Sequence, residues 1–376
     1  MKRAISLVLI CALLIGLVYA IAAGGTAGDP LISLKYINET FFPALLEEGN
    51  LRIDQYKQNL VQKVENRLQG SIPQQGLADG SAFYESAYLD VRVKKGDSFN
   101  LSQGSSMMAY AGETLVYHNG TIVDATTGKT LSSGSALTPF HRYIVAENTT
   151  AEFRVTSDTA VLAPEGFCAL VYSNETDYNA LADALRMLNL FQGTDRGFGK
   201  GYDLERIPTR IEGLVMFLRL IGEEQQALAF SGGERFVDVA DWSAGYVSYA
   251  YHMGYTKGIG VNGAGQRLFN PNETISASEY MTFLLRALGY SDSAGEFSWN
   301  TAVPFAGSSG LLTPGEQSML QNQVFYRAQV AYLSYFFLDS TLKGSNQTLA
   351  NKLIGNQVFT PTLLMQVQGG LTVTRK

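Results

Sequence analysis

A chain of 376 residues, 46% of them apolar, has enough material for two ordinary domains with proper cores. Its 28 basic and 34 acidic residues leave a net charge of -6, which excludes wholesale attraction to nucleic acid or to an anionic membrane surface. An acidic ligand would have to be held by a few placed arginines, and the three separated histidines and two cysteines suggest neither a zinc site nor a disulfide framework. No cofactor is expected.

The first element reads as an export signal over 1–22. Lys2 and Arg3 form a short positive region, Ala4 to Ala23 is apolar and uncharged, and Ala20-Ile21-Ala22 supplies the small-x-small pattern of a cleavage site. The competing reading is a retained anchor, since about 20 apolar residues span a bilayer. The mature chain is expected to begin near Ala23, outside the cytoplasmic membrane, with any membrane contact made only through an uncleaved signal. N-terminal sequencing of the surface fraction decides between the two, and an intact Met1 would indicate the anchor. After cleavage Cys168 is the lone cysteine, expected as a small buried apolar residue.

A helical segment comes next, over 23–80. Ile53, Tyr56, Leu60, Val64 and Leu68 recur at three- and four-residue steps, and the stretch from Gly70 to Gly80 breaks the pattern. From 81 to 175 the period becomes two. Leu89, Val91 and Val93 alternate with polar neighbours, as do Ala151, Phe153 and Val155. Asn119-Gly120, between two apolar pairs, predicts a tight hairpin. Asp124 with Thr126-Thr127-Gly128 reads as turn chemistry.

From 176 to 345 the chain repeats itself, in units over 178–232, 235–290 and a degenerate 295–340; 346–376 is a C-terminal extension. Each unit is a helix, a glycine-rich connector and a second helix. Thr209 with Glu212 and Ser276 with Glu279 form capping boxes for the second helices, whereas the third keeps Gln329 without the hydroxyl. Asp241 is expected to cap the first helix of the middle unit, which Gly254 stops.

These units resemble the S-layer homology domain of bacterial surface proteins. The middle unit carries the match best, with Phe236-Val237-Asp238-Val239, Trp242, Tyr246, Ala250, Gly254, Gly258, Phe269, Pro271 and Ile275, closing on Arg286-Ala287-Leu288-Gly289. Phe297, Trp299 and Arg327-Ala328 remain in the third. The resemblance implies a three-pronged spindle whose grooves bind secondary cell-wall polysaccharide, often bearing a pyruvate ketal. Carried over by motif, the wall-polymer-binding residues are Arg210 and Arg327 for a carboxylate, with Asp238 and Trp242 lining the groove. A guanidinium can grip a carboxylate through two bonds, and an aromatic ring can pack on a sugar face. Ala277 stands where the motif expects arginine.

The expected fold is therefore α+β: an N-terminal helix and a small antiparallel β module, followed by an all-α, pseudo-threefold domain of S-layer homology repeats. The expected function is non-enzymatic: non-covalent anchoring of an exported protein to the cell wall through an acidic secondary polysaccharide, at the cell surface. One alternative is that degenerate repeats serve as a surface scaffold without wall binding. The other is a wall-active glycan hydrolase, which needs two facing carboxylates; Glu223 with Glu224, or Asp238 with Asp241, are available.

Overall fold

The structure, a computed structural model, describes residues 42–68, 82–194 and 198–376. The expected signal segment and the break from Gly70 to Gly80 lie outside the described residues. The chain divides into two compact units, Met1–Gln75 and Gly76–Lys376. In the first, helix α1 spans Phe42–Leu68, as the three- and four-residue spacing predicts, with an Arg52–Glu48 pair one turn apart.

The second unit opens with a sheet. Its strands are β1 (Ala82–Glu85), β2 (Val91–Lys94), β3 (Ser98–Leu101), β4 (Ser106–Ala111), β5 (Thr114–His118), β6 (Ile122–Asp124), β7 (Lys129–Leu131), β8 (Ser135–Ala136), β9 (Arg142–Val145), β10 (Ala151–Val155) and β11 (Thr159–Val171). They form one antiparallel sheet of eleven strands in the order β7-β6-β9-β4-β11-β3-β10-β5-β8, with β1 and β2 also on β11. Strand β11 organises it. Its first half pairs with β2 and β4, and its second half with β1 and β3. Both halves turn their alternating apolar residues, among them Phe99, Met107, Val116, Tyr143, Phe153 and Leu162, into one core, so the sheet curls toward a barrel. Cys168 is fully buried there, and burial, reinforced by the charge of Glu85, pushes its thiol up to about 12.

The change of partners along β11 occurs at Pro164 and Gly166. Gly166 has a φ of +94°, and a Cβ built there would lie 2.7 Å from Ser105 Oγ and 2.9 Å from Ser105 Cα. Gly166→Ala adds left-handed strain to a backbone clash and should cost about 2–4 kcal/mol, read by urea unfolding. An unchanged midpoint would show that the strand can bend without it.

Asn119-Gly120 does not close a hairpin. β5 pairs with β10 and β8, while β6 pairs with β7 and β9, so the turn carries the chain from one half of the sheet to the other. Asn119 Oδ1 accepts the Thr150 amide at 2.8 Å, and Gly120 presses against the Thr149 side chain. That close approach explains the glycine without a hairpin.

The helices begin with α2 (Tyr178–Met187), α3 (Arg210–Leu220), α4 (Glu224–Ala229) and α5 (Asp241–His252), then a short hairpin, β12 (Gly260–Val261) and β13 (Arg267–Leu268), interrupts them. They continue with α6 (Ala277–Ala287), α7 (Ala302–Ser308), α8 (Pro314–Asn322), α9 (Arg327–Phe337), α10 (Leu349–Gly355) and α11 (Pro361–Gly369). Six of them, α2, α3, α5, α6, α7 and α10, end alike. Asn189, Gly222, Gly254, Gly289, Gly310 and Gln357 adopt positive φ, and the next amide donates five residues back, to Leu185, Leu218, Ala250, Leu285, Ala306 and Leu353. The helices share a second apolar core that includes Leu181, Phe217, Tyr280, Leu285, Tyr332 and Phe337, and Val367 of the C-terminal segment joins it.

The expected fold class is therefore corrected. The β part is an eleven-stranded sheet rather than a small module, and the region after it is not all-α but includes the β12–β13 hairpin. Nor do the helices form a domain standing after the sheet. Arg92 of β2 bonds Asp183 of α2 at 2.6 Å, Asn179 donates to Val93 O at 3.3 Å, and Gln329 of α9 reaches Asp158 at 2.7 Å. The reason is that frequent glycines cut the chain into strands too short to count by periodicity. The partners of β11 are also set by pairings that no local pattern records.

Candidate functional site: the interlocked helix starts and the exposed indoles

The sequence-predicted residues lie around the N-terminal ends of α3, α6 and α9. An α-helix leaves its first amides without intrahelical partners. Here the predicted capping boxes form, Thr209 with Glu212 and Ser276 with Glu279, and Gln329 Oε1 accepts the Tyr326 amide at 2.8 Å. The next two amides are satisfied from elsewhere in the fold. Arg210 and Ile211 donate to Glu273 O and Pro271 O, while Arg327 and Ala328 donate to Arg206 O and Leu204 O. In return, Ile275 donates to Pro208 O. The start of α3 is thus bonded to the segment leading into α6, and the start of α9 to the segment leading into α3.

Charges follow the same arrangement. Arg210, the first residue of α3, pairs with Glu279 of α6 at 2.6 Å, and its Nε is buried without a partner. Arg327, the first residue of α9, is 3% exposed, and burial drops it to about 10. It donates to Tyr202 O at 3.0 Å and to Gln192 O at 3.4 Å, lies over the Phe191 ring, and feels Glu212 of α3 as its largest opposing charge. A positive residue at a helix start opposes the helix dipole, and a neighbour's carboxylate at the third position offsets it. The remaining start has Ala277 on α6 and Gln329 on α9 at the corresponding positions.

Asp238 and Trp242 sit close by along the chain. The Asp238 carboxylate accepts the Phe269 amide at 3.0 Å and the Asn270 amide at 2.7 Å, which ties the entry to α5 onto the segment carrying Pro271 and Glu273. Helix α5 begins with Asp241 as its first residue and Ala240 as its cap, one position from the expectation. Trp242 on its first turn is 65% exposed, and Trp299, at the start of the short turn leading into α7, is 60% exposed. The structure therefore brings Arg210 and Asp238 onto one main-chain-bonded belt with Trp242 beside it. Arg327 joins that belt through its amide bond to Arg206 O, while its guanidinium turns away to the loops around Gln192 and Tyr202.

The chain is similar to cell-surface proteins. No family model matches it. A "Cell surface protein" of Thermoanaerobacter kivui is 31% identical over 123 residues, 32% of this chain and 15% of that protein. The "Middle cell wall protein" of Brevibacillus brevis is 29% identical over 137 residues, 35% of this chain and 12% of that protein. The chain thus spans less than a sixth of either relative's length. Among solved structures, the coconut allergen cocosin aligns at 16% identity over 28% of this chain and 27% of its own, with a TM-score of 0.14, which carries no argument.

Sequence reasoning missed a cleft of about 470 Å³ at the C-terminal ends of α5 and α6, lined by Tyr251, Tyr255, Lys257, Arg286, Tyr290 and Asp292. Arg286 grips Asp292 through two bonds, 3.1 and 2.7 Å, and Lys257 adds a third at 2.6 Å. No fixed spacing announces such a cluster, because Lys257 comes from the loop after α5 and Asp292 from the loop after α6. Burial alone would raise the Asp292 carboxyl, but the bonds and charges of Arg286 and Lys257 outweigh it and hold it at about 2, below its ordinary 3.8. A depressed carboxyl contributes stability that is present above its ordinary value and lost as pH falls toward the folded one. The Asp292→Asn variant should therefore melt below the parent at pH 5, with the gap shrinking by pH 2 in thermal scans. A gap that stays constant with pH would mean that the ionised carboxylate is not its source, and no gap at pH 5 would mean the pair contributes nothing.

Three of the four carboxylates considered for catalysis are engaged. Glu223 accepts from the Tyr249 and Tyr255 hydroxyls, both at 3.0 Å, Glu224 pairs with Arg219, and Asp238 is spent on backbone amides. Asp124, read as turn chemistry, accepts the Thr126 amide and the Thr127 amide and hydroxyl, and meets His141 at 2.8 Å.

Proposed function

We propose that this chain resides at the cell surface and attaches non-covalently, without catalysis, to a non-peptidoglycan polysaccharide of the wall. One observation carries the reading: both tryptophans of the chain are more than half exposed, Trp242 at the head of α5 and Trp299 just before α7. Indoles are normally buried for most of their surface. Two left in water at the starts of repeated helices fit stacking on sugar rings. The names of the two relatives support the wall as the place. In this reading Arg210 and Arg327 position the helix starts, and the indoles make the contact with the polymer.

The test is a pull-down of the chain with purified cell-wall sacculi, before and after extraction of the non-peptidoglycan polymer. Retention by intact sacculi and release after extraction is the expected result. Equal recovery from both preparations overturns the polymer assignment, and recovery from neither returns the repeats to a scaffold role.

A further inference from the structure

The face of the sheet turned away from its core carries a second arrangement suited to sugar. Along β4, Met107 and Ala109 enter the core, so alternation places Ser106, Met108 and Tyr110 on the other face. Ser106 lies opposite Ile144 of β9 and Glu165 of β11, and Met108 lies opposite Arg142 and Ala163. A polar row results. The Tyr88 and Ser106 hydroxyls are 2.5 Å apart, Ser106 donates to Glu165 Oε2 at 2.9 Å, and Arg142 donates to the same oxygen at 2.9 Å.

At the Tyr110 end of the strip stand three aromatic rings. Tyr110 and Phe198 stack with centroids 4.2 Å apart and 10° between planes, and Phe140 is tilted by 55° against Phe198 at 5.7 Å. The rings form a corner, yet Phe140 is 58% exposed and Phe198 42%. The backbone of Phe140 is also held at a φ of +66°, its amide donating to Ala109 O at 2.7 Å. Bulky residues disfavour that conformation, and exposure returns little packing for it. Strain kept at a mostly exposed side chain, packed only against two other half-open rings, is a ground for assigning it a function.

We propose that this face binds a neutral sugar chain, separately from the helix starts. One pyranose ring packs into the corner of Phe140, Phe198 and Tyr110, and sugars further along the same chain exchange hydrogen bonds with Arg142 and Glu165 toward the Ser106 end of the strip. Neutrality follows from that pair, whose charges cancel. A protein partner would require a broader apolar patch, whereas here the rings give way to polar groups along the strip. The proposal rests on the wall-attachment reading only for where such a glycan would be met.

The test is isothermal titration of the chain with a β-1,4-linked N-acetylglucosamine hexamer, a neutral and soluble probe. Saturable binding is expected, with at least a tenfold loss in Phe140→Asn and in Phe198→Ala. Asparagine tolerates positive φ, so Phe140→Asn should melt at the parent temperature or above. The Trp242→Ala, Trp299→Ala double variant should bind the hexamer as the parent does, which keeps failure of this site distinct from failure of the wall-polymer reading. No saturable binding by the parent chain, full affinity in folded Phe140→Asn, or a clear drop in its melting temperature would each overturn the proposal.

Discussion

Arg327→Ala should destabilise the chain by about 3–5 kcal/mol, the range for truncating a large buried side chain or breaking a buried charged network. The guanidinium is 3% exposed, and its removal leaves the carbonyls of Tyr202 and Gln192 without their donor and empties space over Phe191. Arg327→Lys should recover only part of the loss, because one ammonium cannot reproduce the planar fork that serves both carbonyls. Arg210→Ala should cost less, about 1.5–3 kcal/mol, since its main interaction is a single pair with Glu279 at a partly open site. Urea unfolding of the three variants gives the order. If Arg327→Ala were as stable as the parent and lost wall affinity, the arginine would be a ligand contact and the assignment of roles would be reversed.

The second large effect is on binding. Trp242→Ala with Trp299→Ala should weaken retention on intact sacculi by about 2–4 kcal/mol, at least a thirtyfold loss, as expected for aromatic anchors at a recognition surface. Both indoles are mostly in water, so the double variant should unfold within about 0.5 kcal/mol of the parent, in the range of surface substitutions. This separates the indoles from Arg327, where stability should fall and the affinity of the folded fraction should hold. Full retention by the folded double variant would remove the observation on which the functional reading stands.

What the sequence determined by itself is local. Thr209 and Glu212, or Ser276 and Glu279, lie three residues apart, so their capping boxes are legible from spacing alone and form as expected. The left-handed residues that end helices, such as Gly254, and the inward alternation of Ala151, Phe153 and Val155 are equally local, because each depends on a few dihedral angles. The Asp124 turn belongs with them. The tertiary structure decided which edges pair and which side chains are left outside. Asn119-Gly120 has the composition of a hairpin, yet β5 and β6 find better partners across the sheet, since any strand edge offers the same amides and carbonyls. Arg210 and Arg327 occupy the same motif position, but one pairs with Glu279 near the surface and the other is buried against Tyr202 and Phe191. Burial is the sum of contacts from residues far apart in the chain, and no spacing rule contains it. The exposure of Trp242 and the corner of Tyr110, Phe140 and Phe198 are consequences of that same long-range packing.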